Sequence, residues 1–91
     1  MKELTPKIVE ARHAGDYRIW LRFADGVEGE IDLEPELWGP IFEPLKDKAY
    51  FARFQLYPEG ITIYWPNDAD FAPEFLYTQV RKQHRSQTAA E

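Results

Sequence analysis

The chain has 91 residues, a net charge of −5, no cysteine, and a rich set of rings: 3 Trp, 5 Tyr and 6 Phe. That length is one domain's worth, and the missing cysteine excludes disulfides, thiolate nucleophiles and cysteine–zinc sites, so packing alone must hold the fold. A free-standing nucleic-acid binder shows a basic surface, because neutralising phosphates dominates its affinity, and this chain leans the other way.

The opening residues, Met1-Lys2-Glu3-Leu4-Thr5-Pro6, form no apolar stretch of signal-peptide length. The longest apolar run, Ala49-Tyr50-Phe51-Ala52, is far short of the roughly 20 residues that span a bilayer. The expectation is a cytoplasmic protein without a membrane partner. Within 7–13, Ile8, Val9 and Ala11 mark a first strand, and Ala14-Gly15-Asp16 is turn chemistry. Residues 17–23 alternate, with Tyr17, Ile19, Leu21 and Phe23 on one face and Arg18, Trp20 and Arg22 on the other. Asp25-Gly26 is a hairpin signal, because glycine accepts positive φ without steric cost. Residues 27–33 alternate again, placing Glu28, Glu30 and Asp32 opposite Val27, Gly29, Ile31 and Leu33.

Pro35, Pro40 and Pro44 rule out a regular central strand between 34 and 45, since proline lacks a backbone donor. Trp38, Ile41, Phe42 and Leu45 are expected to tuck this segment onto the core. A short helix is predicted over 47–53 with Asp47 as its N-cap. A second hairpin pairs 54–57 with 61–65 across Pro58-Glu59-Gly60. Pro66 stops the last strand, and Pro73 opens a final helix, where a missing amide costs little. Phe75, Leu76 and Val80 form its buried stripe, with Tyr77 at the margin. The predicted fold is α+β: one antiparallel sheet of about five strands, a meander plus a second hairpin, with a short middle helix and a C-terminal helix. Residues 1–85 form the single domain, and 86–91 form a disordered tail.

Seven acids, Asp25, Glu28, Glu30, Asp32, Glu34, Glu36 and Glu43, lie in a 23–45 stretch that holds no lysine or arginine. Bases gather instead at Arg81, Lys82 and Arg85. Arg18 and Arg22 are placed to pair across strands with Glu28, Glu30 or Asp32, which leaves a solvated edge; any unneutralised remainder attracts a basic partner. Trp20, between two arginines, is either covered by the proline-rich segment or last helix, or open to stack on a nucleobase or anchor a partner protein. Asp68 and Asp70 have the chemistry for acid–base work or a hard cation, but shaping the turn before the helix accounts for them more simply. His13 and His84 have no ligand-type neighbour in sequence, Ser86 is the lone serine, and the five glycines are scattered. No catalytic residue, cofactor or metal site is expected.

The run Trp65-Pro66-Asn67-Asp68-Ala69-Asp70-Phe71-Ala72-Pro73-Glu74-Phe75-Leu76-Tyr77 resembles the closing motif of a bacterial family called domain of unknown function 2442. Phe23-Ala24-Asp25-Gly26 resembles its hairpin, Ile31-Asp32-Leu33 its third strand end, and Phe42, Leu45, Asp47 and Phe51 its middle segment. The resemblance covers about residues 4–80. It implies a small α+β fold and no established catalysis, and it marks Asp25, Gly26, Trp65, Pro66, Asn67, Asp70, Pro73, Leu76 and Tyr77 as motif positions. The family often has glycine where this chain has Asp68, a residue that tolerates positive φ better than most.

Some members of that family carry a following helix-turn-helix domain, and some are encoded in pairs that look like toxin–antitoxin arrangements. The 14 residues after Tyr77 are too few for such a DNA-reading domain. The leading expectation is therefore a non-catalytic interaction or regulatory module. It would be antitoxin-like, with another small protein as partner and Trp20, Glu28, Glu30 and Asp32 as the candidate partner-binding residues. The alternative is a nucleic-acid-linked regulator working through the basic tail without direct DNA binding by this chain alone, and a dimer is compatible with either. A small hydrolase or cation binder using Asp68 and Asp70 ranks last.

Overall fold

A computed structural model describes the backbone of residues 5–90 and the side chains of residues 5–82. The fold is α+β. β1 (Ile8–His13), β2 (Arg18–Phe23) and β3 (Glu28–Asp32) form an antiparallel meander in the order β1-β2-β3. Its second turn follows the Asp-Gly signal: Gly26 takes φ 93°, and its amide donates to the Phe23 carbonyl at 2.9 Å. Asp25 Oδ1 accepts from the Val27 amide at 3.1 Å. The alternating residues behave as expected, since Ile19, Leu21, Phe23, Ile31 and Leu33 are all buried.

The register of β1 slips between Ile8 and Glu10. Val9 is the extra residue, and it is exposed. A bulge of this kind lets one strand change phase without breaking the sheet. Ile8 consequently opposes Phe23, and Ala11 opposes Leu21.

After β3 the chain makes two 3₁₀ segments, Glu34–Glu36 and Pro40–Lys46, and the short helix α1 (Lys48–Phe51). The Asp47 carboxylate accepts from the Ala49 amide at 3.0 Å, the expected cap. β4 (Gln55–Leu56) and β5 (Ile63–Tyr64) are antiparallel. They form a separate two-stranded sheet, which corrects the expectation of one five-stranded sheet. Each strand has two residues, held short by Pro58 and Pro66, and the outer side of β5 is taken by a bridge between Tyr64 and Asp70. The hairpin meets β1 through Gly60, whose carbonyl accepts from the Ile8 amide at 2.9 Å.

α2 (Pro73–Ala90) lies over the inner face of β3. Val80 of α2 packs over Gly29, where a Cβ would stand at ordinary contact distance, 3.5 Å from Val80 Cγ1. Of the expected stripe, Leu76 and Val80 are fully buried, while Phe75 is only half-buried, packed at the margin beside Phe71. The side chains of residues 83–91, those of His84 and Ser86 among them, lie outside the described residues, and the backbone of α2 runs through 86–90, where a disordered tail is expected. Among the described residues, no helix is long and apolar enough to cross a membrane.

Candidate functional site

The outer face of the meander carries the residues singled out for binding. Across β2 and β3, Arg18 opposes Asp32, Trp20 opposes Glu30, and Arg22 opposes Glu28. The expected cross-strand pairing does not form. Arg22 Nη2 reaches instead to Glu10 Oε1 on β1 at 2.9 Å, and Glu10 Oε2 takes Arg12 Nε at 2.9 Å. One carboxylate thus clasps two guanidinium groups. The Trp20 ring lies beside both, 4.6 Å from Arg12 Cζ and 6.0 Å from Arg22 Cζ. Trp20 is half-exposed on the face opposite α2. Among the described residues, no ion pair reaches Glu28, Glu30 or Asp32. The face is polarised: arginines engaged with β1 on one side, bare acids on β3 on the other.

The closing-motif residues converge for reasons of packing. Trp65 is buried among Phe51, Phe54 and Phe71, and its Nε1–H donates to the Phe51 carbonyl at 2.7 Å. Asn67 Nδ2 donates to the Ile41 carbonyl at 2.9 Å, while its Oδ1 accepts from the Ala69 amide at 3.2 Å. That pins the turn to the proline-rich segment. Asp68 adopts φ 71°, the left-handed conformation that aspartate tolerates. Asp70 is exposed in its bridge to Tyr64. Among the described residues, no three His, Cys, Asp or Glu side chains gather as a metal site. His13 is exposed, with its Nε2 3.0 Å from the Asp16 carbonyl oxygen.

Two motif positions far apart in sequence meet at the surface. The Tyr77 hydroxyl donates to Asp25 Oδ2, beside an open groove lined by Thr5, Pro6, Val27, Glu74, Thr78 and Arg81. That hydrogen bond is the main cause holding the Asp25 carboxyl below its ordinary value. Slight burial opposes it, and backbone amides and Arg81 assist. A depressed folded-state pKa stabilises the fold above the unfolded value of about 3.9 and loses that contribution as pH falls through the folded value. In a carboxyl-carbon NMR titration, Asp25 is expected to titrate below about 3.9 and to rise toward it in Tyr77→Phe. A wild-type midpoint at or above that value would contradict the contact.

The proline-rich segment departs from expectation at its middle. Leu45 is buried and Phe42 stacks on Phe71 with ring centroids 5.0 Å apart, but Trp38 is 71% exposed and Ile41 is 48% exposed. Leu37 takes the core position, and Gly39 at φ 93° turns the chain away directly after Trp38. An exposed tryptophan next to a cavity is a surface feature that the sequence reading missed. The signal available was the surplus of apolar residues over core positions in 33–45.

A family model described as "Protein of unknown function (DUF2442)" matches residues 8–82. The comparisons find no similar curated protein and no similar solved structure.

Proposed function

The chain belongs to the DUF2442 family, and on that premise we propose that it is a non-catalytic cytoplasmic interaction module, the antitoxin-like or regulatory member of a bacterial two-protein pair. The observation that carries this reading is the uncompensated acid row of Glu28, Glu30 and Asp32 on β3. Three like charges on one strand face repel each other unless a cation is supplied. The nearby arginines are committed to Glu10 or, in Arg18, form no ion pair among the described residues. A basic protein surface supplies what is missing. Asp68 and Asp70 are both exposed at the turn that Asn67 pins, and the acidic balance disfavours direct contact with nucleic acid.

Electrostatic complementarity of this kind acts mostly on association rate, and the effect falls steeply with salt. The test starts with affinity capture from the native host, followed by association kinetics with the captured protein. Glu28→Lys with Glu30→Lys is expected to slow association roughly tenfold at low ionic strength and to flatten its salt dependence. Both positions are exposed, so the fold should survive. Unchanged low-salt association in the folded double variant would sink the reading.

A further inference from the structure

Beyond the sheet face, a notch of about 370 Å³ opens beside Trp38, lined also by Tyr17, Glu34, Pro35, Leu37 and Lys46. We propose that this notch is an arginine subsite, which seats one guanidinium of a basic partner segment against the Trp38 indole and the Glu34 carboxylate. The inference rests on the reading that the partner is a basic protein.

Three features select a guanidinium as occupant. The indole presents an open π face, which attracts cations and stacks best with a planar one. The one cation in the wall, Lys46, is already compensated, with Nζ 3.4 Å from Glu43 Oε1. Its backbone carbonyl is taken by the Tyr17 hydroxyl. Glu34 has no ion-pair partner among the described residues, so the notch keeps an unmatched negative charge beside an aromatic surface.

The notch also continues the acid row. Asp32 Oδ1 accepts from the Glu34 amide at 3.0 Å, so Glu34 sits in the turn that leaves β3 immediately beyond the row of Glu28, Glu30 and Asp32. Alternate residues on a strand are spaced about 7 Å apart, the same repeat as alternate side chains of an extended partner segment. A basic segment lying along β3 would bring its end to Trp38. A second copy that meets the notch with its own notch is a poor occupant, because the two Glu34 carboxylates would then face each other.

The test is a titration of the ¹⁵N-labelled protein with a ten-residue acetylated, amidated peptide of alternating arginine and glycine, at low salt. Lysine and citrulline peptides of the same design serve as comparisons. The expected result is a shift of the Trp38 indole N–H and of the 34–38 amides, with arginine binding tightest and citrulline weakest. Trp38→Ala should weaken arginine-peptide binding roughly two- to fivefold, the size of an exposed cation–π contact. Glu34→Gln should weaken it while leaving the indole in place. Shifts confined to Glu28, Glu30 and Asp32, with Trp38 silent, would overturn the subsite and leave the acidic-face reading standing. No shift anywhere with the arginine peptide would overturn both.

Discussion

Trp65→Ala is expected to destabilise the protein by roughly 3–5 kcal/mol, the range for removing a large buried ring. The indole is fully buried, with ring centroids of Phe51 at 5.5 Å, Phe71 at 5.8 Å and Phe54 at 6.0 Å. Truncation therefore opens a cavity at the junction of α1, β5 and the segment leading into α2. It also orphans the Phe51 carbonyl, which accepts the indole N–H at 2.7 Å in a buried position. Trp65→Phe separates the two effects. It keeps part of the packing and loses the donor, which alone costs about 1–3 kcal/mol. Small domains have only about 5–15 kcal/mol in total, so the alanine variant should unfold at much lower urea concentration. Equilibrium denaturation measures both variants, and a loss below about 1 kcal/mol for alanine would show that the ring is not a core element.

Gly60→Ala is the second large effect. Gly60 adopts φ 72°, and a Cβ there would sit 2.6 Å from the Ile8 carbonyl oxygen and 3.3 Å from Lys7 Cβ. The approach cannot relax cheaply, because the Gly60 carbonyl accepts from the Ile8 amide and the Gly60 amide donates to the Tyr57 carbonyl. Left-handed backbone costs a side-chain-bearing residue about 1–2 kcal/mol, and forced overpacking adds about 1–3 kcal/mol. The sum, roughly 2–5 kcal/mol, should appear as a lower denaturation midpoint. Gly26→Ala is the matched comparison. Gly26 has φ 93° but nothing within 4 Å of its would-be Cβ, so it should show the backbone cost alone. Equal losses at the two positions would mean that the second hairpin moves freely away from β1.

The meander was legible because its strands are each buried on one face. Alternation at Ile19, Leu21 and Phe23, and at Ile31 and Leu33, announces both period and facing. Asp25-Gly26, Asp47 and Pro73 were legible because turns and caps depend on local chemistry. What failed depended on distant partners. Whether the second hairpin joins the first sheet depends on what lies beside it: Asp70 takes the outer side of β5, and the hairpin's hydrogen bond to β1 comes through Gly60, neither of which a local pattern records. The pairing of Arg22 with Glu10 depends on the bulge at Val9, which sets the β1 side chains that share Arg22's face. Trp38 was misplaced because apolar character promises burial only when a core position is open, and Leu37 fills the one available there. Of the candidate surface, the acid row was readable from the sequence, whereas its lack of compensating arginines and its continuation to Trp38 were not.

The order of the chain along the fold has a consequence in time. The three strands of the meander end at Asp32, but the helix that covers their inner face begins at Pro73. At about 5–20 residues per second of synthesis, roughly 2–8 s separate the two on the ribosome. During that interval β3 is complete in sequence while Ile31 and Gly29 still await Leu76 and Val80. The pairings within the meander are close in sequence and form early, whereas the link from Asp25 to Tyr77 spans 52 residues and closes last. The nascent chain therefore passes through a stage in which one face of the sheet is apolar and bare while the edge strand β3 already carries its row of carboxylates, and charge along that edge disfavours edge-to-edge pairing of one unfinished copy with another.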